Sequence, residues 1–301
     1  MDISIDISEL TGKKTEIKIS LDERDIVYDI KKKIFQQHNS IPTIQMELYY
    51  KDKNTKKKRV IGNNSAIVLS AFPELKNTKK IYLHNKGHQV DICVANVIEY
   101  SGPIITFTLL LMYYVFVLER KLSSLQYTVY ALTLVHYIKR VFESVCVHIH
   151  TKTMELKMLI VECVYYIGYY GMFCGWNLFS LDNQRQLVFP KDLIVICLFF
   201  VSEYNNFRCH IILRVIRLKN RNVVKVPDGN LFKFVYCANY FWEVCSWICI
   251  SLLSQMKSIW GFTFMGFVVM SLWAIEKKQS YCKHFQHEKG LRKKAIVPFI
   301  I

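Results

Sequence analysis

Six long apolar runs occupy most of the chain from residue 94 onward, at 94–118, 125–147, 158–179, 187–207, 231–253 and 259–275. Each is close to the ~20 residues a helix needs to cross ~30 Å of hydrocarbon. Tyr100, Trp176, Trp260 and Trp273 lie near run ends, as residues of an interfacial aromatic belt do. Six such segments in ~200 residues exceed what a soluble core can cover, so a bilayer is the expected solvent. The expected fold is an all-α polytopic membrane bundle of about six transmembrane helices, or seven if one is re-entrant.

Composition shifts sharply near residue 93, which divides the chain into residues 1–90 and 91–301. The first part is polar and Lys-rich, with period-two alternation in five places: Ile3, Ile5 and Ile7; Glu16 to Ile19; Glu47 to Tyr50; Ala66 to Leu69; and Lys80 to Leu83. Such alternation marks half-buried strands. Between the second and third runs, Ile30, Ile34 and Phe35 recur at helical spacing after the acidic start Asp22, Glu23 and Asp25. The order of hairpin, helix and further strands predicts a small α+β domain of ubiquitin-like β-grasp type. The opening MDISIDISEL has neither a basic n-region nor an apolar h-region, so an internal helix is expected to direct membrane entry.

The net charge of +16, with 52% hydrophobic residues, excludes a disordered tail or a coiled coil. The basic residues are segregated from the apolar runs, which argues against a nucleic-acid module. Most of the ten cysteines, among them Cys163, Cys174, Cys197, Cys245 and Cys249, sit singly in apolar runs and behave as small hydrophobes. There is no CxxC pair, His148 and His150 make only a weak HIH signal, and no metal is expected. GxGxxG, HExxH and GxSxG motifs are missing. An Asn63-Asn64-Ser65 acceptor falls in the polar part and is read as idle.

Basic residues set the expected orientation. Six crossings put both termini on one side, together with the loop holding Arg214, Arg217, Lys219, Arg221 and Lys225. The tail on that side carries Lys277, Lys278, Lys283, Lys289, Arg292, Lys293 and Lys294. The opposite loops hold only Arg120 with Lys121, Arg185 with Lys191, and Lys257. The positive-inside rule then makes both termini cytosolic.

Ionisable groups within such segments are costly and point to function. Glu99 heads the first run. His136, Lys139, Arg140 and Glu143, with Tyr137 beside them, crowd neighbouring faces of the second. Asn206, His210, Arg214 and Arg217 recur on one helix face, and Arg forks suit phosphate oxygens. Asn239 and Glu243 share a face, with Tyr240 adjoining; Tyr281 lies among the basic groups of the tail. These groups describe a bundle with a cationic mouth and a deeper Glu/Tyr pair.

The motifs EYSGP, HYIKRVFESVCVH, NNFRCHIILR, NYFWEVCSWI and LRKKAIVPFII, in that order behind a ubiquitin-like start, resemble the very-long-chain trans-2-enoyl-CoA reductases of the steroid 5α-reductase superfamily. The resemblance runs nearly the full length. It implies an enzyme of the endoplasmic reticulum membrane that reduces the 2,3 double bond of a long-chain enoyl-CoA with NADPH, the last step of each elongation cycle. It further implies other elongation enzymes as partners. By position, Glu99 and Tyr137 match the pair that meets the conjugated carbonyl in the steroid branch, and Tyr240 matches the tyrosine regarded as catalytic in the enoyl branch. Either phenol could deliver the proton. Asn206, His210, Arg217, Asn239, Glu243 and Tyr281 match the superfamily's NADPH contacts, with Lys139, Arg140 and Lys225 as phosphate partners. His210 stands where the steroid branch has Asp, Val224 where it has Tyr, and Ala238 where Pro is usual. The alternatives are a 3-oxo-Δ4-steroid or polyprenol reductase of the same superfamily, and a non-catalytic scaffold for elongation enzymes. No inverted repeat of a transporter is visible.

Overall fold

The computed structural model describes residues 2–11, 15–38, 41–52, 56–62, 66–150, 153–180, 185–219, 225–285, 293–298 and 300. The Asn63-Asn64-Ser65 acceptor, Arg221, Val224, Lys289 and Arg292 lie outside the described residues. The chain forms two compact units, residues 1–92 with 151–159, and residues 93–150 with 160–301.

The first unit is built on a five-stranded sheet. Strand β1 (Asp2–Asp6) pairs antiparallel with β2 (Glu16–Ser20), setting Ile3 opposite Ile19 and Ile5 opposite Ile17. Helix α1 (Val27–Gln37) follows, then β3 (Met46–Lys51), β4 (Lys58–Val60) and β5 (Lys80–Asn85), in the sheet order β2-β1-β5-β3-β4. β1 and β5 run parallel, so the chain between them must cross over. Alternation turns Ile3, Ile5, Ile19, Leu48, Ile81 and Leu83 to one face, where Val27, Ile30 and Ile34 of α1 cover them. Asp29 accepts from the backbone N–H of Ile26 (3.0 Å), which fixes the start of α1.

Three details differ from the expectation. Phe35 is exposed, and Val27 completes the apolar stripe of α1 in its place. Ala66 to Leu69 does not form a sheet strand. Its backbone crosses the start of α1, with Val27 N donating to Ala66 O and Val68 N to Asp25 O, and turns helical at Val68–Ala71. β4 carries no apolar alternation because all three of its residues are exposed at the sheet edge. A further two-stranded ribbon joins β6 (Gln89–Asp91) to β7 (Thr153–Glu155).

The second unit is helical. Helix α2 spans Ile92–Val117, α3 spans Ser124–Phe142 and continues through a wide turn at Glu143–Val147, and α4 spans Leu156–Ser180. Next come α5 (Lys191–Lys219), α6 (Ala238–Ser254) and α7 (Lys257–His284). All six expected segments are helical. Ile92–Val117, Leu156–Ser180 and Lys257–Lys283 are long and apolar enough to cross a membrane. Their exposed side chains include Ile105, Leu109, Phe116, Val161, Val164, Phe264 and Leu272, an apolar surface suited to lipid. Helix α5 begins at Lys191 rather than 187, where Asp192 accepts from Arg185 Nη2 (2.8 and 3.0 Å) and from Val188 N (2.8 Å). Helix α6 begins at Ala238 rather than 231, because Tyr236 and Cys237 donate their backbone N–H to Lys294 O and Ala295 O instead.

Helices α2 and α4 pack in parallel along a line of small residues. A Cβ at Gly102 would stand 2.2 Å from Ile167 Cγ1, one at Gly171 2.2 Å from Thr106 Oγ1, and one at Gly175 2.9 Å from Leu110 Cδ1. Tyr165 Oη donates to Phe262 O (2.8 Å) and Tyr169 Oη to Ser258 O (3.2 Å), tying α4 to α7.

Gly102→Ala is expected to force α2 from α4 and cost about 1–3 kcal/mol, read as a lower thermal midpoint. Gly168→Ala is the control, since its Cβ would meet nothing within 4 Å. In the first unit, burial pushes the Lys31 ammonium down to about 8, with the charge of Lys86 adding to the effect. In the unfolded chain the same group titrates near 10.5. Between these values the unfolded chain binds more protons than the folded one, so stability rises with pH across that window. Lys31→Met should flatten the rise, measured by thermal unfolding of the full chain on either side of the window.

Candidate active site

The sequence of α3 forces charge into a packed bundle, and the fold answers it with partners from α5 and α6. His136 Nδ1 lies 2.8 Å from Glu203 Oε1 of α5, and its Nε2 lies 3.2 Å from Glu243 Oε1 of α6. One turn on, Lys139 Nζ donates to Asn206 Oδ1 (2.6 Å) and pairs with Glu203 Oε2 (2.7 Å). Asn206 Nδ2 in turn donates to Asn239 O (2.8 Å) and Glu243 Oε2 (3.1 Å), closing a ring across three helices. Arg140 extends the ring, donating through Nη1 to Glu143 Oε2 (2.7 Å) and through Nη2 to Tyr100 Oη of α2 (2.8 Å). The wide turn at the end of α3 keeps Glu143 inside, fully buried. Such π-turns are frequent at functional sites.

Beyond Arg140 the site opens through two imidazoles. Arg140 Nη1 lies 3.3 Å from His210 Nε2, and His210 Nδ1 lies 3.1 Å from His148 Nε2. Burial, then the charge of Arg140, pushes His148 down to about 3, so its ring is neutral at physiological pH. Donor atoms of Glu143, His148 and His210 lie within 4.8 Å of one another. The Arg140 guanidinium holds a fixed positive charge against that carboxylate, which opposes a cation there. At the rim, Arg214 Nη1 donates to Cys146 O (2.6 Å) and Val147 O (2.7 Å), and Arg217 Nη1 to Ile149 O (2.9 Å). A guanidinium carries five N–H donors in a fork, so capacity for an anion remains at both.

On the other side of the ring lies an aromatic box. Tyr137 is fully buried, with its ring centroid 5.8 Å from that of Trp247, 5.7 Å from Tyr170, and 6.4 Å from both Tyr100 and Tyr166. Its hydroxyl has no hydrogen-bond partner among the described residues; neither have Glu99 Oε1, Glu143 Oε1 and Arg140 Nε, all buried. Glu203 Oε2, Trp242 Nε1 and Ser271 Oγ are also without one; buried polar atoms are nearly always satisfied, so those of Tyr137, Glu99 and Arg140 suit a polar ligand.

The structure therefore gathers Lys139, Arg140, Asn206, His210, Asn239 and Glu243 into one network. It sets Tyr137 and Glu99 in the buried interior of the same unit. Arg217 stands at the rim, and Lys225 is exposed. Tyr240 belongs to a different cluster, with Tyr236, Val244 and Ala274, where Lys277 Nζ donates to its hydroxyl (2.8 Å). Tyr281 stacks on Tyr236 there, with centroids 5.5 Å apart. The two tyrosines that the sequence left as equivalents thus occupy different surroundings. His148, which the sequence offers only as half of a weak HIH signal, is a member of the site. Glu203 was not singled out, although a carboxylate inside the run LFFVSEYNN, three residues before Asn206, was a readable signal. Lys277 was hidden in a charged tail.

Truncating one partner of this ring strands a buried charge. Glu203→Ala should destabilise the chain by about 3–5 kcal/mol. Adding Lys139→Met should cost less than the two single effects combined, measured by thermal unfolding as a double-mutant cycle.

Comparisons with known proteins follow the same lines. Residues 152–301 match the family described as 3-oxo-5-alpha-steroid 4-dehydrogenase. The chain is 30% identical over 224 residues to a very-long-chain enoyl-CoA reductase of Dictyostelium discoideum, covering 73% of this chain and 74% of the relative. It is 32% identical over 238 residues to a protein of Caenorhabditis elegans named as a probable very-long-chain enoyl-CoA reductase, covering 73% and 75%. A human trans-2,3-enoyl-CoA reductase-like protein is 26% identical, covering 73% of this chain and 64% of the relative.

Proposed function

Because the chain belongs to the very-long-chain enoyl-CoA reductase family within the steroid 5α-reductase superfamily, and is thereby an oxidoreductase, we propose that it reduces the 2,3 double bond of long-chain trans-2-enoyl-CoA with NADPH. In this reading it completes each fatty acid elongation cycle. It works in the endoplasmic reticulum membrane, with both termini cytosolic and other elongation enzymes as neighbours. The observation that carries the reading is the set of unpaired buried atoms around Glu99, Tyr137 and Arg140, joined through His210 to a rim with Arg214 and Arg217.

NADPH supplies a hydride when bound. The donors present fit such a group: Asn206, Asn239 and Glu243 offer amide and carboxylate partners for a carboxamide, and Arg217 and the exposed Lys225 offer cations for phosphates. Lys139 and Arg140 are tied to carboxylates in the ring, which casts them as supports of the amide partners more than as free phosphate ligands. Tyr281 offers a ring face beside Tyr236 for a base.

At the reacting end, reduction at C3 leaves enolate charge on the thioester oxygen. A hydroxyl enclosed in an aromatic box stabilises such charge better than water does, since it needs no reorientation. Tyr137 Oη has that setting, and Glu99 is the polar group of α2 that would share the carbonyl. The apolar inner faces of α2, α4 and α7 suit a long acyl chain.

The test is spectrophotometric. Purified chain in lipid should oxidise NADPH with a long-chain trans-2-enoyl-CoA and not with a 3-oxo-Δ4-steroid. Tyr137→Phe and Glu99→Gln should each lower kcat by about 100-fold with folding intact. Steroid turnover without enoyl-CoA turnover would overturn the proposal.

A further inference from the structure

The mechanism leaves one carboxylate of the helical unit without a task. Glu162 lies on α4, within a segment long and apolar enough to cross a membrane, and is half-buried. Among the described residues no cation pairs with it and no hydrogen bond reaches its side chain. An ionisable group so placed is costly and points to function. The packing of α2 on α4 shows what it faces. Gly102 lies against Ile167, Thr106 against Gly171 and Leu110 against Gly175, so the two helices keep step turn by turn. One turn back from Gly102 stands Glu99, and one turn back from Ile167 stand Cys163 and Glu162. Glu162 also shares a face of α4 with Tyr166, whose ring packs edge-on to that of Tyr100 at 5.6 Å.

The surroundings of the two carboxyls hold a surplus of acceptors. Glu99 Oε1 is buried and without a hydrogen bond among the described residues. Pro103, inside α2, has no N–H to give to the carbonyl of Glu99 one turn back. The charged groups that Glu99 feels are Glu162 of α4 and, after it, Arg140 of α3. Arg140 is already engaged, through Nη1 with Glu143 Oε2 and through Nη2 with Tyr100 Oη. The other titratable neighbours are neutral hydroxyl and thiol groups: Tyr100 beside Glu99, Tyr165 and Tyr166 beside Glu162, and Cys163 beside both. A proton is the donor that such a neighbourhood lacks.

We propose that Glu162 is a positioning residue that acts through Glu99: the two carboxyls hold one proton between them, which keeps Glu99 a hydrogen-bond donor to the thioester oxygen of the substrate. The assignment rests on the enoyl-CoA reductase reading. Two carboxylates side by side in apolar surroundings do not both ionise, and they titrate as a pair. A neutral Glu99 carboxyl offers its O–H to the oxygen on which enolate charge develops, whereas an ionised one repels that charge. The proton remains on the carboxyl throughout, and protonation of C2 is a separate step. Glu162 touches no substrate in this role; its charge decides whether Glu99 keeps the proton.

The experiment measures kcat against pH for the full chain in lipid, with NADPH and a long-chain trans-2-enoyl-CoA. In the unmutated chain kcat should fall on the alkaline side, where the pair loses its proton. Glu162→Gln removes the like charge, so Glu99 gives up its proton at lower pH. The fall should therefore move down by about one pH unit or more, leaving kcat about tenfold lower on that limb. NADPH affinity, read by fluorescence titration, should stay unchanged, and Glu162→Asp should restore most of the unmutated profile. On a Glu99→Gln background, whose amide does not ionise, the limb should vanish and Glu162→Gln should add almost nothing. Infrared spectra read the proton without turnover: a neutral-carboxyl band of the unmutated chain should weaken in Glu162→Gln at the same pH. A merely structural Glu162 would move the thermal midpoint and neither the pH profile nor the band. An active chain with no alkaline fall, or a Glu162→Gln variant with the unmutated profile, overturns the assignment of Glu162 alone. An unmutated chain that leaves NADPH intact overturns the reductase reading, and the positioning role with it.

Discussion

The second unit depends on a closed ring of buried hydrogen bonds and ion pairs: His136 to Glu203, Glu203 to Lys139, Lys139 to Asn206, Asn206 to Glu243, and Glu243 back to His136. An isolated charge in such surroundings costs several kcal/mol, whereas a satisfied ring removes that penalty. The ring therefore makes α3, α5 and α6 conditional on one another. None of the three meets the length and hydropathy that α2, α4 and α7 reach. The polar helices are acceptable to a bilayer as a set, because His136, Glu143 and Glu203 are buried while Ile138, Leu198 and Phe200 are turned outward. The same satisfaction rule points to the site, because the buried atoms without a hydrogen bond among the described residues include Glu99 Oε1, Tyr137 Oη and Arg140 Nε beside it, as well as Trp242 Nε1 and Ser271 Oγ elsewhere.

Close approach of backbones provides the rigidity that such a site needs. Gly102, Gly171 and Gly175 let α2 and α4 run in parallel at contact, which brings Tyr100 beside Tyr166 and fixes the wall of the aromatic box. Arg140 then links that wall to the ring through Tyr100. A ligand between Tyr137 and Glu243 would thus meet side chains whose rotamers are already held, the condition under which fixed dipoles stabilise developing charge.

Much of this was legible in the chain because the relevant signals are local. Period-two alternation marked β1, β2, β3 and β5, and the i, i+3, i+4 spacing of charge in α3 and α5 marked the ring. What escaped is set by contacts distant in sequence. Ala66 to Leu69 has a strand's pattern but meets the start of α1, and β4 has no pattern because it pairs on one edge and buries nothing. The apolar run from 231 does not become helix until Ala238, since its backbone N–H groups are taken by the C-terminal segment. Lys277 looked like one more cation of a basic tail, and only the packing of α7 on α6 separates it from its neighbours.

That packing gives α6 two working faces. Asn239, Glu243 and Trp247 turn to α3 and α5, into the ring and the aromatic box. Tyr240 and Val244 turn to α7, toward Lys277 and Ala274. Since consecutive helical residues are about 100° apart, one short helix presents both sets at the same height. Tyr137 packs against the first face through Trp247, whereas Tyr240 sits on the second against Lys277, so the two phenols that the sequence offers as equivalents have different surroundings and only one of them is sealed in the aromatic box.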